Sequence, residues 1–293
     1  MNDAAPTFDQ LRPRLQQIAY RMLGSVADAE DVVQDAWLRW HGAAEDTINN
    51  TEAWLVAVTT RLAIDRLRTV KAQRELYSGI WLPEPLMTDF PVTPEEISER
   101  ANDVSMAYLL LLERLTPEAR AAFLLHEVFD ADYEQIATTL GKSQAACRQL
   151  VSRAKKQLHT DQPRFIVPLK TQLHLMQKFA QVLERGDFAG IIALLAEDAV
   201  LMGDGGGKVT SFPKPMLGGK RIAQLFLAAS LRYKTELRIA LAGLNEQWAL
   251  LRYIKGELES ALLFEVEAER ITRVYVQRNP DKLARIAAAY TRR

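Results

Sequence analysis

Three groups of residues have the types and spacing to do chemistry. Between Gly141 and His159 the chain carries Lys142, Arg148, Arg153, Lys155 and Lys156 with no aspartate or glutamate among them. A helix of that composition can offer its first residues to base edges and its later cations to phosphates, so Gln144 and Arg148 are candidates for base contacts and Arg153, Lys155 and Lys156 for backbone contacts. A solvated basic helix is the plain alternative. A second basic set, Arg61, Arg66, Arg68, Lys71 and Arg74, follows Asn49, Asn50 and Trp54. Cations that track a backbone beside an aromatic ring and a polar loop suit unpaired DNA, whereas a core tryptophan and two turn asparagines would need no ligand. The third set, Asp28, Asp31 and Asp35, repels DNA. It is either solvated or meets a basic protein partner.

Enzyme chemistry is weakly represented. His126-Glu127 opens like a zinc-protease helix, but Asp130 stands where the second histidine is needed. Asp204-Gly205-Gly206-Gly207-Lys208 has the wrong spacing for a phosphate loop, with Val209 in place of the hydroxyl residue, so a turn between strands is expected. Asp204 is the one nameable acid or base. The single cysteine, Cys147, excludes an intrachain disulfide framework and a cysteine-rich zinc site and points to a reducing compartment. On its helix it reads as a packed small residue. No metal or cofactor is expected.

The elements that must position these groups follow from pattern. The chain has 293 residues, 48% hydrophobic and 25% charged, which excludes a wholly disordered or collagen-like polymer and leaves room for about two cores. Its net charge of zero conceals a division: residues 1–161 carry net −7 and residues 162–293 net +7, a weak bias toward docking of the two parts. The start lacks a signal-peptide pattern and no apolar run approaches a membrane span, so a cytoplasmic location without membrane contact is expected.

Apolar residues at helix spacing, Leu11, Leu15, Ile18, Ala19 and Met22, begin a first helix near Phe8, and Gly24-Ser25 ends it. A second helix is expected over Ala27 to Trp40, with Val33, Ala36, Trp37 and Trp40 inward and the aspartates outward. A third is expected over Glu52 to about Lys71, capped by Thr51, with Leu55, Val58, Leu62 and Leu67 for the core. Pro83, Pro85, Pro91 and Pro94 mark Ser78 to Asp103 as an extended linker. Helix returns from about Val104 to Leu115, and Thr116-Pro117 starts another. Tyr133 to Leu140, the Gly141-Lys142 turn, the Ser143 cap and Gln144 to Leu158 form a helix-turn-helix. Beyond Pro168, helices over 169–185, 187–195 and about 220–231 and strands over 199–202, 237–244, 248–254, 260–267 and 271–277 indicate an α+β domain.

The stretches DAEDVVQDAWLRW, TEAWLVAVTTRLAIDRLR and LTPEARAAFLLHEVFDADYEQIATTLGKSQAACRQLVSRAKKQL resemble the extracytoplasmic-function sigma factors of bacterial RNA polymerase. Trp81-Leu82-Pro83-Glu84-Pro85, Asp204 to Lys208 and Asn279-Pro280-Asp281-Lys282-Leu283 are similar to motifs of the subgroup with a fused SnoaL-like domain. The resemblance implies two all-α sigma modules, a helical bundle and a helix-turn-helix, followed by an α+β SnoaL-like cone. Its division is 1–75 for region 2, 76–105 for the linker, 106–162 for region 4 and 168–293 for the cone. It implies that Asp28, Asp31, Gln34 and Asp35 bind core RNA polymerase. Asn49, Asn50, Trp54, Arg61, Arg66 and Arg68 would read and help melt the minus-ten element of promoter DNA. Ser143, Gln144, Arg148, Gln149, Ser152, Arg153, Lys155 and Lys156 would serve the minus-thirty-five element. The cone would act as a regulator docked on the sigma modules, with Trp81, Pro83, Pro85, Asp204, Gly205, Gly206, Gly207, Lys208, Asn279, Pro280, Asp281, Lys282 and Leu283 at the contact and a small ligand of unspecified chemistry for its pocket. Two alternatives remain at this point: a ligand-responsive regulator that binds operator DNA, and a SnoaL-like enzyme with a DNA-binding appendage.

Overall fold

The computed structural model describes residues 4–43, 48–75, 77–88, 104–159 and 167–290. Residues 89–103 of the expected linker, residues 44–47 of the first loop and the boundary near Pro163 lie outside them. The chain divides into two compact units, Met1–Glu75 with Leu109–Gln162 and Leu76–Tyr108 with Pro163–Arg293.

The first unit is helical. α1 (Ala4–Leu23), α2 (Val26–His41) and α3 (Thr51–Glu75) pack on one another through Leu15, Ile18, Ala19 and Met22 of α1, Val32, Val33 and Ala36 of α2, and Leu55, Ala63 and Leu67 of α3. The inward face of α2 therefore begins at Ala29 and Val32; Trp37 and Trp40 are only half-buried, and Trp40 stacks on Phe8. On α3, Leu62 is half-buried and the neighbouring Ala63 and Ile64 take the core. The cap of α3 is Asn50, not Thr51: the Asn50 Oδ1 accepts the Ala53 amide at 3.0 Å and its carbonyl accepts the Trp54 amide at 3.0 Å. Both residues cap well, and one position decides which carries the N3 bond.

α4 (Met106–Leu112) is shorter than the expected 104–115, because the chain turns at Glu113–Leu115 before α5 (Pro117–Glu127). Thr116 caps α5 with Pro117 in its first turn. α6 (Tyr133–Leu140) begins with a reciprocal cap between Asp132 and Gln135 and ends on Gly141 at φ 63°, a left-handed turn that favours glycine. Ser143 accepts the Ala146 amide and opens α7 (Gln144–His159). Ala122 and Leu125 of α5, Ile136 of α6 and Cys147 and Val151 of α7 form the core of this helix-turn-helix, against which Val56 of α3 packs. Cys147 is buried, and burial pushes its thiol pKa up.

The second unit is α+β. α8 (Leu169–Arg185), α9 (Phe188–Leu194) and α10 (Gly219–Tyr233) pack with one face of a six-stranded sheet around Phe179, Phe226 and Phe264, whose rings meet edge to face. The strands β1 (Leu195–Asp204), β2 (Met216–Leu217), β3 (Leu237–Leu244), β4 (Gln247–Ile254), β5 (Glu257–Glu267) and β6 (Arg270–Gln277) lie in the order β2-β1-β6-β5-β4-β3, antiparallel except for β1 against β6. Asn245-Glu246, Lys255-Gly256 and Ala268-Glu269 close the three hairpins with every φ positive, the turn whose twist matches the flanking strands. Three elements escaped the pattern reading: β2, only two residues long, the 3-10 turn Lys234–Glu236, and α11 (Pro280–Tyr290). The linker segment 77–88 is extended, as expected, and it is docked: Met87 bridges Leu244 and the Thr88 amide donates to the Gly243 carbonyl at 3.1 Å.

Candidate functional site

The helix-turn-helix presents one polar stripe. Ser143, Gln144, Arg148, Gln149, Ser152, Arg153, Lys155 and Lys156 are all exposed, while Cys147, Val151, Ala154 and Leu158 at helix spacing are buried. Arg148 lies over the Tyr133 ring at 5.0 Å and donates to Gln144 Oε1 at 3.3 Å, so the two candidate base readers stand side by side. Lys155 pairs with Glu127 at 2.8 Å and Lys142 with Glu118 at 3.0 Å.

On α2, Asp31, Gln34 and Asp35 are exposed together with Leu38. Asp28 departs from this set: its carboxylate takes Arg66 Nε at 2.8 Å and Nη2 at 2.5 Å, with Asp31 at 3.8 Å. The hydrogen bond to Asp28 and its charge raise the Arg66 pKa. Asn49, Asn50, Trp54 and Arg61 line a cleft of about 870 Å³, whose other wall includes Asp130, Asp132, Glu134 and Gln135. Trp54 is half-buried, between the core and ligand readings of the sequence. Arg61 donates to the carbonyls of Thr139 and Thr138, both at 2.7 Å. Arg68 bonds Asp65 and Glu118, each at 2.9 Å. Pattern reading alone assigns none of these partners to the arginines.

In the second unit, the three motifs converge on Asp204. Its side chain is fully buried and accepts from five donors: Tyr77 Oη at 2.6 Å and the Gly206 amide at 2.9 Å on Oδ1, and Lys282 Nζ at 2.7 Å, the Leu82 amide at 2.9 Å and Gln277 Nε2 at 3.4 Å on Oδ2. A carboxylate saturated in this way is a structural acceptor. The Lys282 ammonium also donates to the Leu82 carbonyl at 2.6 Å and sits 4.5 Å from the Trp81 ring centre and 5.5 Å from that of Tyr77. Burial, then the bond to Asp204, pushes the Tyr77 phenol pKa well up.

Two glycines are required by close approach. A Cβ on Gly205 would stand 2.2 Å from the Val209 carbonyl oxygen, and one on Gly206, at φ +66°, would stand 2.4 Å from Asn279 Cγ. Lys208 pairs with Asp281 at 2.7 Å. Asn279 caps α11, its Oδ1 accepting the Asp281 amide at 3.0 Å with Pro280 next, and its Nδ2 donates to Tyr77 Oη at 3.2 Å. Leu283 is buried. Pro83 contributes its carbonyl to Gln277 at 3.3 Å, and Pro85 is buried in the docked segment.

Sequence reasoning missed Tyr77, Gln277 and Asn245. Asn245, at the β3–β4 turn, accepts the Leu86 amide on Oδ1 at 3.0 Å and donates from Nδ2 to the Val104 carbonyl at 2.7 Å, while its own amide donates to the Leu86 carbonyl at 2.8 Å. Both sides of the linker are thus held by one side chain. Among the described residues, no group of three histidine, cysteine, aspartate or glutamate side chains could hold a metal ion, and His126 instead places Nδ1 3.1 Å from the Ala131 carbonyl.

A helical bundle, a helix-turn-helix with an exposed polar stripe and a polar linker hub define a class of transcription protein, and comparison with known proteins agrees. The family profile Sigma-70 region 2 matches residues 7–73, and Sigma-70, region 4 matches residues 105–158. The ECF RNA polymerase sigma factor SigJ of Mycobacterium tuberculosis is 37% identical over 254 residues, covering 86% of this chain and 78% of that one. A protein of the same organism, Probable ECF RNA polymerase sigma factor SigI, is 29% identical over 274 residues, covering 93% and 92%. The crystal structure of the M. tuberculosis extracytoplasmic function sigma factor SigJ superposes with a TM-score of 0.75 at 30% identity, over 95% of this chain and 98% of that chain. The chain belongs to the extracytoplasmic-function sigma factors of RNA polymerase, and its C-terminal module is a SnoaL-like cone.

Proposed function

We propose that this sigma factor binds core RNA polymerase through the exposed face of α2 and promoter DNA through α3 and α7, and that the C-terminal module regulates initiation by gripping the linker. The observation that carries the regulatory part is the Asp204 hub, where one buried carboxylate joins the linker to β1, β6 and α11. Asp31, Gln34 and Asp35 form the polymerase contact, with Asp28 positioning Arg66 behind them. Asn49, Trp54, Arg61, Arg66 and Arg68 serve the minus-ten element; Asn50 is spent chiefly on capping α3. The eight exposed residues of the α7 stripe serve the minus-thirty-five element.

The function divides as region 2 over 1–75, linker over 76–105, region 4 over 106–162 and regulatory module over 168–293, with the last docked on the sigma modules and acting in the cytoplasm. The opposite net charges support that docking. The module works without catalysis or cofactor: its candidate acid, Asp204, has its oxygens occupied by donors from the protein.

Run-off transcription by core polymerase, comparing the full chain with truncations ending near Pro163 and just before Asn279, tests the assignment and gives the sign of the regulation. Asp31→Arg with Asp35→Arg should abolish polymerase binding and leave the helical content unchanged. Retained binding would reject the α2 interface.

A further inference from the structure

A long, exposed arginine is flexible, and ordering it on a base removes rotamer freedom that binding must offset. In the helix-turn-helix Arg148 is exposed yet already ordered. Its guanidinium lies 5.0 Å from the centre of the Tyr133 ring, and Nη2 donates to Gln144 Oε1 at 3.3 Å, one turn back on α7. The bond to Gln144 joins residues i and i+4, neighbours on one helix face. The contact with Tyr133 comes from a different helix and is the one that fixes Arg148 relative to the rest of the module.

The surroundings of Tyr133 make it a fixed support. It opens α6, where the reciprocal cap between Asp132 and Gln135 sets the backbone. Its half-buried ring packs against the core of Ala122, Leu125, Ile136, Cys147 and Val151. The His126 ring of α5 meets it at 4.4 Å with a 36° tilt, and His126 is itself placed with Nδ1 3.1 Å from the Ala131 carbonyl. α5, the turn before α6 and α6 itself therefore set one aromatic ring against one arginine of α7. Stacking occupies the flat face of a guanidinium and leaves its edge, where the N–H donors lie, free to turn outward. That edge is the fork with which arginine grips a base in the major groove. Tyr133→Leu would fill the same apolar space and give no such platform.

We propose that Tyr133 is a positioning residue for promoter recognition, holding Arg148 edge-outward beside Gln144 so that a base pair of the minus-thirty-five element is read by a preformed pair of side chains. The proposal rests on the assignment of α7 to that element. The effect of Tyr133 on base choice passes through Arg148.

The test uses the full chain assembled with core RNA polymerase and a duplex library randomised across the minus-thirty-five element, with the enrichment of each base counted after selection by binding. Arg148→Ala should relax one base position about tenfold or more, within the range for loss of a bidentate base contact, and so locate the position that Arg148 reads. Tyr133→Leu should relax that same position about two- to fivefold, the range for one exposed cation–π contact, and leave the other positions unchanged. Tyr133→Phe keeps the ring and should keep the parent profile. In the Arg148→Ala background, Tyr133→Leu should change nothing further at that position. Tyr133→Leu that weakens every sequence alike, or that acts equally with and without Arg148, would overturn the proposal and make Tyr133 a packing residue only. A parent profile left intact by Arg148→Ala rejects Arg148 as a base reader and the proposal with it, whereas a profile relaxed by Arg148→Ala but not by Tyr133→Leu rejects the positioning role alone.

Discussion

Replacing Asp204 by asparagine keeps the shape of the hub and inverts half of its hydrogen-bonding. The new amide has one acceptor oxygen for five donors. Turned with its nitrogen at the Oδ2 position, it faces the Lys282 ammonium, the Leu82 amide and the Gln277 amide, all donors. Turned the other way, it faces the Gly206 amide, and only the Tyr77 hydroxyl can reverse to accept. The second orientation costs less, but the Lys282 ammonium, 12% exposed, still loses its counter-charge. Removing one partner of a buried ion pair costs about 3–5 kcal/mol, and tenfold in an opening equilibrium corresponds to about 1.4 kcal/mol. Hydrogen exchange across residues 77–88 should therefore accelerate by about two orders of magnitude or more, read most directly at the Leu82 amide. Adding Lys282→Met to Asp204→Asn removes the uncompensated charge and should restore part of the protection, giving a coupling of about 1 kcal/mol or more in the double-mutant cycle. Unchanged exchange in the single variant, or strict additivity in the cycle, would refute the claim that this ion pair holds the linker.

Asn245→Gly keeps the positive φ of the hairpin turn and deletes both side-chain bonds, so protection at the Leu86 amide should fall by about 1–3 kcal/mol; unaltered exchange there would show the side chain to be dispensable. Acid should destabilise the helical unit through Glu113, whose pKa in the folded chain is depressed: that stabilisation is complete above the unfolded value of about 4.3 and is lost as pH falls through the lower folded value. Urea midpoints measured from pH 7 to pH 3 should stay level and then drop, and Glu113→Gln should flatten the acid limb.

Much of the helical unit was legible because short-range rules set it. The period of Cys147, Val151, Ala154 and Leu158 defines the buried side of α7 and leaves all eight polar candidates outside. Asn50 and Thr51 are both competent caps, so the start of α3 was uncertain by one residue until the Ala53 amide chose its acceptor. α11 carried a readable signal, a capping asparagine followed by proline, the same logic that located α5 at Thr116-Pro117. The hub was legible only as three motifs known by resemblance. Its geometry was not, because Tyr77, Asp204 and Gln277 come from a linker and two strands far apart in sequence, and no period encodes their meeting. The acceptors of the α3 cations escaped for a related reason: six of the α3 bonds run to backbone carbonyls or to glutamates of another module, which composition cannot assign.

The docked linker changes what the connection between two DNA-reading modules can do. Residues 76–105, fully extended, would span about 100 Å, ample for readers of separated promoter elements. In this structure Leu86 and Val104 bond the same asparagine side chain, so the residues between them add nothing to that reach. Tyr77, two residues beyond the end of α3, is already bonded to Asp204, and Val104 lies two residues before α4. The reach left to the modules is then set by whether a few polar contacts hold, and each of them is a hydrogen bond that water can replace once the ion pair at Asp204 opens. In this structure the cone holds the linker with its own polar groups. It needs a rigid sheet edge, a turn asparagine at positive φ and one buried carboxylate, which is why the residues that matter lie at strand ends and turns and not among the apolar side chains around Phe179, Phe226 and Phe264.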